Sequence, residues 1–158
     1  MAINPTEFRA ALSRFPSGVT VVTTKDATGK FHGITVSAFC SVSLDPPLIL
    51  VCIEKTTGSH TAFEQSRSFV VNFLRSSQSD LSERFAAQLS DKFEGLDFRH
   101  GIDGVPILEG CIANLECLLS NSYDGGDHTI FVGEVENVEI GDGEPLIYFH
   151  SNYGSIAG

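Results

Sequence analysis

CIANLECLLSNSYDGGDHTIFVGEVENVEI, residues 111–140, contains the longest alternation of apolar and polar residues in the chain. From Cys111 to Leu119, and again from Thr129 to Ile140, the period is two, as expected for strands with one face buried. Between these runs, Asn121 to Asp127 gathers turn formers around Gly125-Gly126, so the two strands read as the arms of a hairpin. A hairpin cannot bury its apolar side alone, and further strands must join it.

They are found upstream. Val19 to Thr24 and Phe31 to Phe39 are rich in β-branched residues and flank a Lys25–Lys30 loop containing Asp26 and Gly29. Leu48 to Ile53 is a continuous apolar run after Asp45-Pro46-Pro47, the pattern of a strand buried on both faces. Phe69 to Leu74 and Leu146 to Phe149 complete about seven strands. Two or three short helices fit the remainder. Asn4, Pro5 and Glu7 cap a helix carrying Phe8, Ala11, Leu12 and Phe15. Thr61 and Glu64 have capping-box spacing in a short helix over 59–66, and Asp80 and Glu83 repeat it ahead of a Leu81, Phe85, Leu89 stripe. Residues 93–107, with Gly95, Gly101, Gly104 and Pro106, read as a long loop. The pattern predicts one mainly β domain over 1–158, an antiparallel barrel or sandwich with short helices at its margins.

Composition narrows the function. A net charge of −10, with ten Lys and Arg scattered singly, argues against nucleic acid and anionic membrane as partners. Cys40, Cys52, Cys111 and Cys117 show no metal-ligand spacing, and three of them lie in apolar runs as small hydrophobes, which suits a reducing compartment. The N-terminus lacks a basic region followed by an apolar stretch, and a cytoplasmic protein is expected. Neither G-x-G-x-x-G nor G-x-x-x-x-G-K-[ST] occurs, so a nucleotide would be held by other means than a Rossmann turn or a P-loop. No G-x-S-x-G or H-E-x-x-H points to a hydrolase.

Seven segments in series carry a resemblance. They are PSGVTVVT (16–23), GITVSAF (33–39), SVSLDPPL (41–48), FVVNFL (69–74), LSERFA (81–86), GDH (126–128) and PLIYF (145–149). Together they resemble the short-chain flavin reductase family, whose members supply reduced flavin to two-component monooxygenases. The resemblance implies a split β-barrel of the FMN-binding type, FMN or FAD as flavin, NADH or NADPH as hydride donor, a homodimer and a monooxygenase partner. A flavin-binding split barrel without nicotinamide turnover is the alternative. A third reading, an oxidase resembling the pyridoxamine phosphate oxidases, lacks a match to their substrate-phosphate motif.

Through this resemblance the segment with Gly33, Thr35, Val36, Ser37 and Ala38 would run beside the flavin ring. Gly33 would permit close approach. Ser59 and Thr61 at a helix start, with Lys55 upstream, offer an anion site for the flavin phosphate, or simply cap the helix. Ser82, Arg84 and Phe85 match a segment near the flavin tail, and Cys52 joins the cofactor-binding candidates. Asn72 interrupts an apolar strand, and its amide needs partners from flavin or from neighbouring backbone. Gly126, Asp127 and His128 match the place where nicotinamide docks, with Tyr153 as an aromatic wall. His128 is the catalytic candidate, expected to orient the nucleotide without transferring a proton.

Overall fold

The computed structural model describes residues 2–156. Helix α1 (Pro5–Leu12) leads into β1 (Ser17–Gly18), β2 (Thr20–Lys25), β3 (Phe31–Val36), β4 (Phe39–Ser43) and β5 (Leu48–Glu54). Helix α2 (His60–Gln65), strand β6 (Ser68–Phe73) and helix α3 (Ser79–Ala86) follow. Next come the short β7 (Phe98–His100) and β8 (Pro106–Leu108), the long β9 (Ala113–Gly125) and β10 (His128–Ile140), and finally β11 (Ile147–Phe149) and β12 (Asn152–Gly154).

Seven strands form one antiparallel sheet in the order β3-β2-β6-β9-β10-β5-β4, and β1, β11 and β12 form a smaller one. The sheet is curved around a core of Val22, Val36, Ile49, Val51, Phe69 and Phe131, while Val19, Val21, Leu74, Phe85 and Phe93 build a second core on its other side. Adjacent residues of β2 therefore serve opposite cores, and β2 and β6 are buried on both faces.

Several expectations need correction. The 48–53 run alternates after all: Ile49, Val51 and Ile53 point inward, and Leu48, Leu50 and Cys52 stay half-exposed on the outer face. The expected 31–39 strand breaks at Ser37 and Ala38, where the chain passes from one edge of the sheet to the other. The turn expected over 121–127 contracts to its last two residues, Gly126 and Asp127, since β9 continues to Gly125, which pairs with His128 of β10. Polar residues at 121–125 extend the ladder because this stretch of β9 is exposed on both faces, while Thr129 and Phe131 opposite it on β10 are buried. Within 93–107 lies the β7–β8 pair, whose apolar Phe98 and Ile107 face hydrophobic clusters. Neither later capping box forms. Ser59 precedes α2 without a side-chain cap bond, and α3 begins one residue earlier than Asp80 because a 3-10 turn over 76–78 feeds directly into it. Leu89 lies beyond α3 and is exposed.

One polar group ties the layers together. Asn72 on β6 is fully buried, and its amide donates to the Val21 carbonyl at 2.9 Å while its oxygen accepts from Leu108 N–H at 3.0 Å and Asn114 Nδ2 at 2.8 Å. It thus joins β2, β6, β8 and β9, and its side chain is not open to a cofactor. Neighbouring protein groups answer the demand raised by a polar residue in an apolar strand. Asn72→Ala would orphan at least two buried groups, and denaturant titration should show a loss of about 2–4 kcal/mol; a loss under about 0.5 kcal/mol would mean that water replaces the amide.

Candidate functional site

A cleft of about 690 Å³ opens between β3, the segment after β5 and the segment after α3. Its floor exists because residue 33 has no side chain. A Cβ at Gly33 would lie 2.6 Å from a Phe85 ring carbon and 3.3 Å from the Phe93 ring, so both rings sit directly against the strand. Phe31, Phe85, Phe93 and Phe98 continue as edge-to-face pairs with centroids 5.1 to 5.7 Å apart. Gly33 does permit a close approach, and these phenylalanines are what approach it. Phe85 itself is wholly buried, so it supports the cleft from beneath.

Polar groups rim this floor. Lys30, His32, Thr57 and Ser59 line it, as does Lys92, half-buried on the segment after α3. Lys92 Nζ donates to the Gly33 carbonyl at 3.1 Å and the Phe85 carbonyl at 2.8 Å, bridging β3 and the end of α3. Burial holds its pKa below the usual lysine range. Arg84 turns away from the cleft and fastens that segment, donating from Nε to the Lys92 carbonyl at 2.7 Å and from Nη2 to the Glu94 carbonyl. His32 is held at 2.8 Å by Asp26, whose carboxyl is kept well below its ordinary range by hydrogen bonds from Thr28 and His32.

The other candidates gather in three neighbouring places. Thr35 donates to the Ser82 carbonyl at 2.6 Å, and Ser82 Oγ shares a 2.7 Å hydrogen bond with Tyr153 Oη, so β3, α3 and β12 meet there. Ser37 lies on a smaller apolar groove of about 380 Å³ beside Phe15, Phe39 and Pro145, separate from the larger cleft. Ala38 is exposed, and its carbonyl accepts from Cys52 N–H at 3.1 Å. Val36 points its side chain into the core, leaving only its backbone to face a ligand. Cys52 is half-buried, and desolvation raises its thiol pKa.

The third place is the tip of the β9–β10 hairpin. Gly126, at φ +78, and Asp127 form its tight turn. Lys55 N–H donates to the Asp127 carbonyl at 2.9 Å, and its amine pairs with Asp124. Asp127 accepts from His128 Nδ1 at 2.7 Å, which lowers the Asp127 pKa and leaves Nε2 as the available imidazole nitrogen. His128 stands opposite Glu54 in the β10–β5 register, and Glu54 also lines the cleft, so the hairpin tip and the cleft adjoin. Ser59 reaches the rim, whereas Thr61 lies one residue inside α2 with its side chain exposed.

Lys92, Lys30, His32 and Phe93 are cleft residues that the sequence motifs do not single out. Lys92 and Phe93 sit in an aperiodic stretch, where nothing in the spacing marks a lysine folded back onto a distant strand.

Gly33→Ala should drive its new methyl against Phe85 and cost about 1–3 kcal/mol in urea unfolding. An unchanged unfolding midpoint would show that the rings yield freely and that the glycine does not set the floor.

The flavin reductase-like domain family matches residues 12–157. An FMN reductase (NADH), SmoA, from Agrobacterium fabrum is 41% identical over 154 residues, covering 98% of this chain and 87% of that protein. The flavin-dependent monooxygenase reductase subunit HsaB of Rhodococcus jostii is 40% identical over 156 residues, covering 98% and 80%. Among solved structures, the Streptomyces globisporus NADH:FAD oxidoreductase SgcE6, in complex with NAD and FAD fragments, superposes with a TM-score of 0.92 at 33% identity, covering 99% of this chain and 97% of that one. With a mostly β fold, seven family-like segments in order and a match over nearly its full length, this chain belongs to the flavin reductase-like family.

Proposed function

We propose that this protein is an NADH-dependent flavin reductase that supplies reduced flavin to a partner monooxygenase. The observation that carries the reading is the cleft built on Gly33, in a chain whose relatives are named for this reaction. Its lining suits a flat, anionic cofactor: aromatic carbon at Phe31 and Phe93, hydroxyls at Thr57 and Ser59, and amines at Lys30 and Lys92.

Bound flavin supplies the hydride acceptor, so the chain needs no nucleophile of its own. The protein's task is to hold two ring systems at near-attack distance and to keep water away. The cleft wall fixes one partner. At the hairpin tip, Asp127 orients His128 so that Nε2 can donate to or accept from the incoming nicotinamide nucleotide. The Thr35–Ser82–Tyr153 chain positions an aromatic side chain from β12, 38% exposed, as a wall.

Purified protein with added FMN or FAD should oxidise NADH at a rate that saturates in flavin, with NADPH run in parallel. Flavin binding without oxidation of either nucleotide would leave a flavin carrier in place of a reductase. His128→Ala should raise the KM for NADH roughly fivefold, the worth of one hydrogen bond, with flavin affinity and Tm unchanged. Lost stability with unaltered KM would make His128 structural.

A second copy of the chain is the proposed partner for the outer sheet face. There Leu50 and Cys52 of β5 stand opposite Val132 and Ile130 of β10, all half-buried, with Tyr123 53% exposed beside them. Such a contiguous apolar face suits a symmetric interface. Light scattering should give a dimer mass that Ile130→Lys lowers to a monomer; a monomeric wild type would refute the assignment. A cytoplasmic location is proposed from the four free thiols. No helix among the described residues is long and apolar enough to cross a membrane.

A further inference from the structure

We infer that Lys92 is the phosphate-reading residue of the cleft, the group that makes the site prefer a phosphorylated ligand over its uncharged parent. The inference rests on the flavin reductase reading and adds to it a recognition residue outside the family-like segments.

A lysine ammonium carries three N–H donors. Two of those on Lys92 are used, on the Gly33 and Phe85 carbonyls, and both acceptors are neutral. No carboxylate lies within ion-pair distance of Lys92 among the described residues. Removing a cation from water without a counter-ion is unfavourable, and here burial already weakens its hold on the proton. A half-buried cation answered only by neutral carbonyls, in the wall of a 690 Å³ cleft, has room for an anion at its third donor.

The surroundings select the kind of anion. His32 is already engaged by Asp26, and Lys55 by Asp124, so neither is a competing cation of equal availability. Lys30, Thr57 and Ser59 line the same cleft and can donate to further oxygens, as a group with several acceptor oxygens requires. Glu54 shares the lining and disfavours an anion on its own side, which confines the charge to the Lys92 side. Phe31 and Phe93 present aromatic carbon there, suiting a phosphate ester attached to a ring-bearing group better than a bare inorganic ion. The two cytosolic sources of such an ester in this reaction are the flavin and the nicotinamide nucleotide.

The test compares riboflavin, FMN and FAD in fluorescence titrations of the wild type, Lys92→Gln and Lys92→Arg, with the KM for NADH measured on the same preparations. For a flavin phosphate, Lys92→Gln should reduce FMN or FAD affinity about tenfold or more and leave riboflavin affinity unchanged, while Lys92→Arg restores most of the preference. For a nucleotide phosphate, the flavin affinities stay fixed and the NADH KM rises by a similar factor. Because the preference is a ratio within one preparation, a stability loss from removing the β3–α3 bridge does not mimic it. Unchanged flavin preference together with unchanged KM would overturn the role of Lys92 while the reductase reading stands. A wild type that binds no flavin and oxidises no NADH would overturn both.

Discussion

The missing side chain at Gly33 is the constraint on which the site depends. It lets the Phe85 and Phe93 rings press against β3, and any Cβ there would overlap Phe85. From that contact follow the seat of α3 on the sheet, the path of the segment after it and the position of Lys92 above the strand. Arg84 secures the same segment from the other side through two backbone carbonyls. The cleft is thus built by contacts within the chain itself, which suits it to orienting two ring systems at low entropic cost.

Beneath it, the sheet must serve two cores at once. Strands β2 and β6 bury both faces, and the Asn72 amide supplies the cross-layer hydrogen bonds that apolar residues cannot. Glu116 plays a related part nearby, its carboxylate accepting from Ile102 N–H at 2.6 Å and from Asn137 Nδ2 at 2.5 Å. These buried polar groups are fully partnered, so they fix register where hydrophobic packing alone would tolerate slippage. The buried thiols are inert by comparison: desolvation pushes Cys111 up to about 11 and Cys117 to about 12, and both act as small apolar residues, as their sequence context suggests.

Period and turn chemistry made most strands legible in the sequence, including both arms of the long hairpin, although its turn falls at Gly126-Asp127, one residue past the glycine pair expected to centre it. They failed where tertiary context decides. Asn121 to Asp124 look like turn residues, yet exposure on both faces lets polar side chains occupy a strand. The β7–β8 pair hides in an irregular stretch because three-residue strands leave no period to detect. At the site, Lys55 bonds to the hairpin tip, and Thr35, Ser82 and Tyr153 share hydrogen bonds; these residues lie far apart in sequence, and no spacing marks their meeting. Side-chain direction was not legible. Asn72, Val36 and Phe85 face the interior, and Lys92 reaches the cleft only because a distant glycine admits a ring.

The reductase reading turns on whether this chain brings a nicotinamide onto a flavin bound in the cleft. Anaerobic stopped-flow mixing of flavin-loaded protein with NADH tests it most directly, because it isolates hydride transfer from flavin exchange and from oxygen. A flavin reductase loses the oxidised flavin absorbance in a single turnover, at a rate that saturates with NADH and exceeds that of free flavin by orders of magnitude. Reduction no faster than that of free flavin in buffer would contradict that reading.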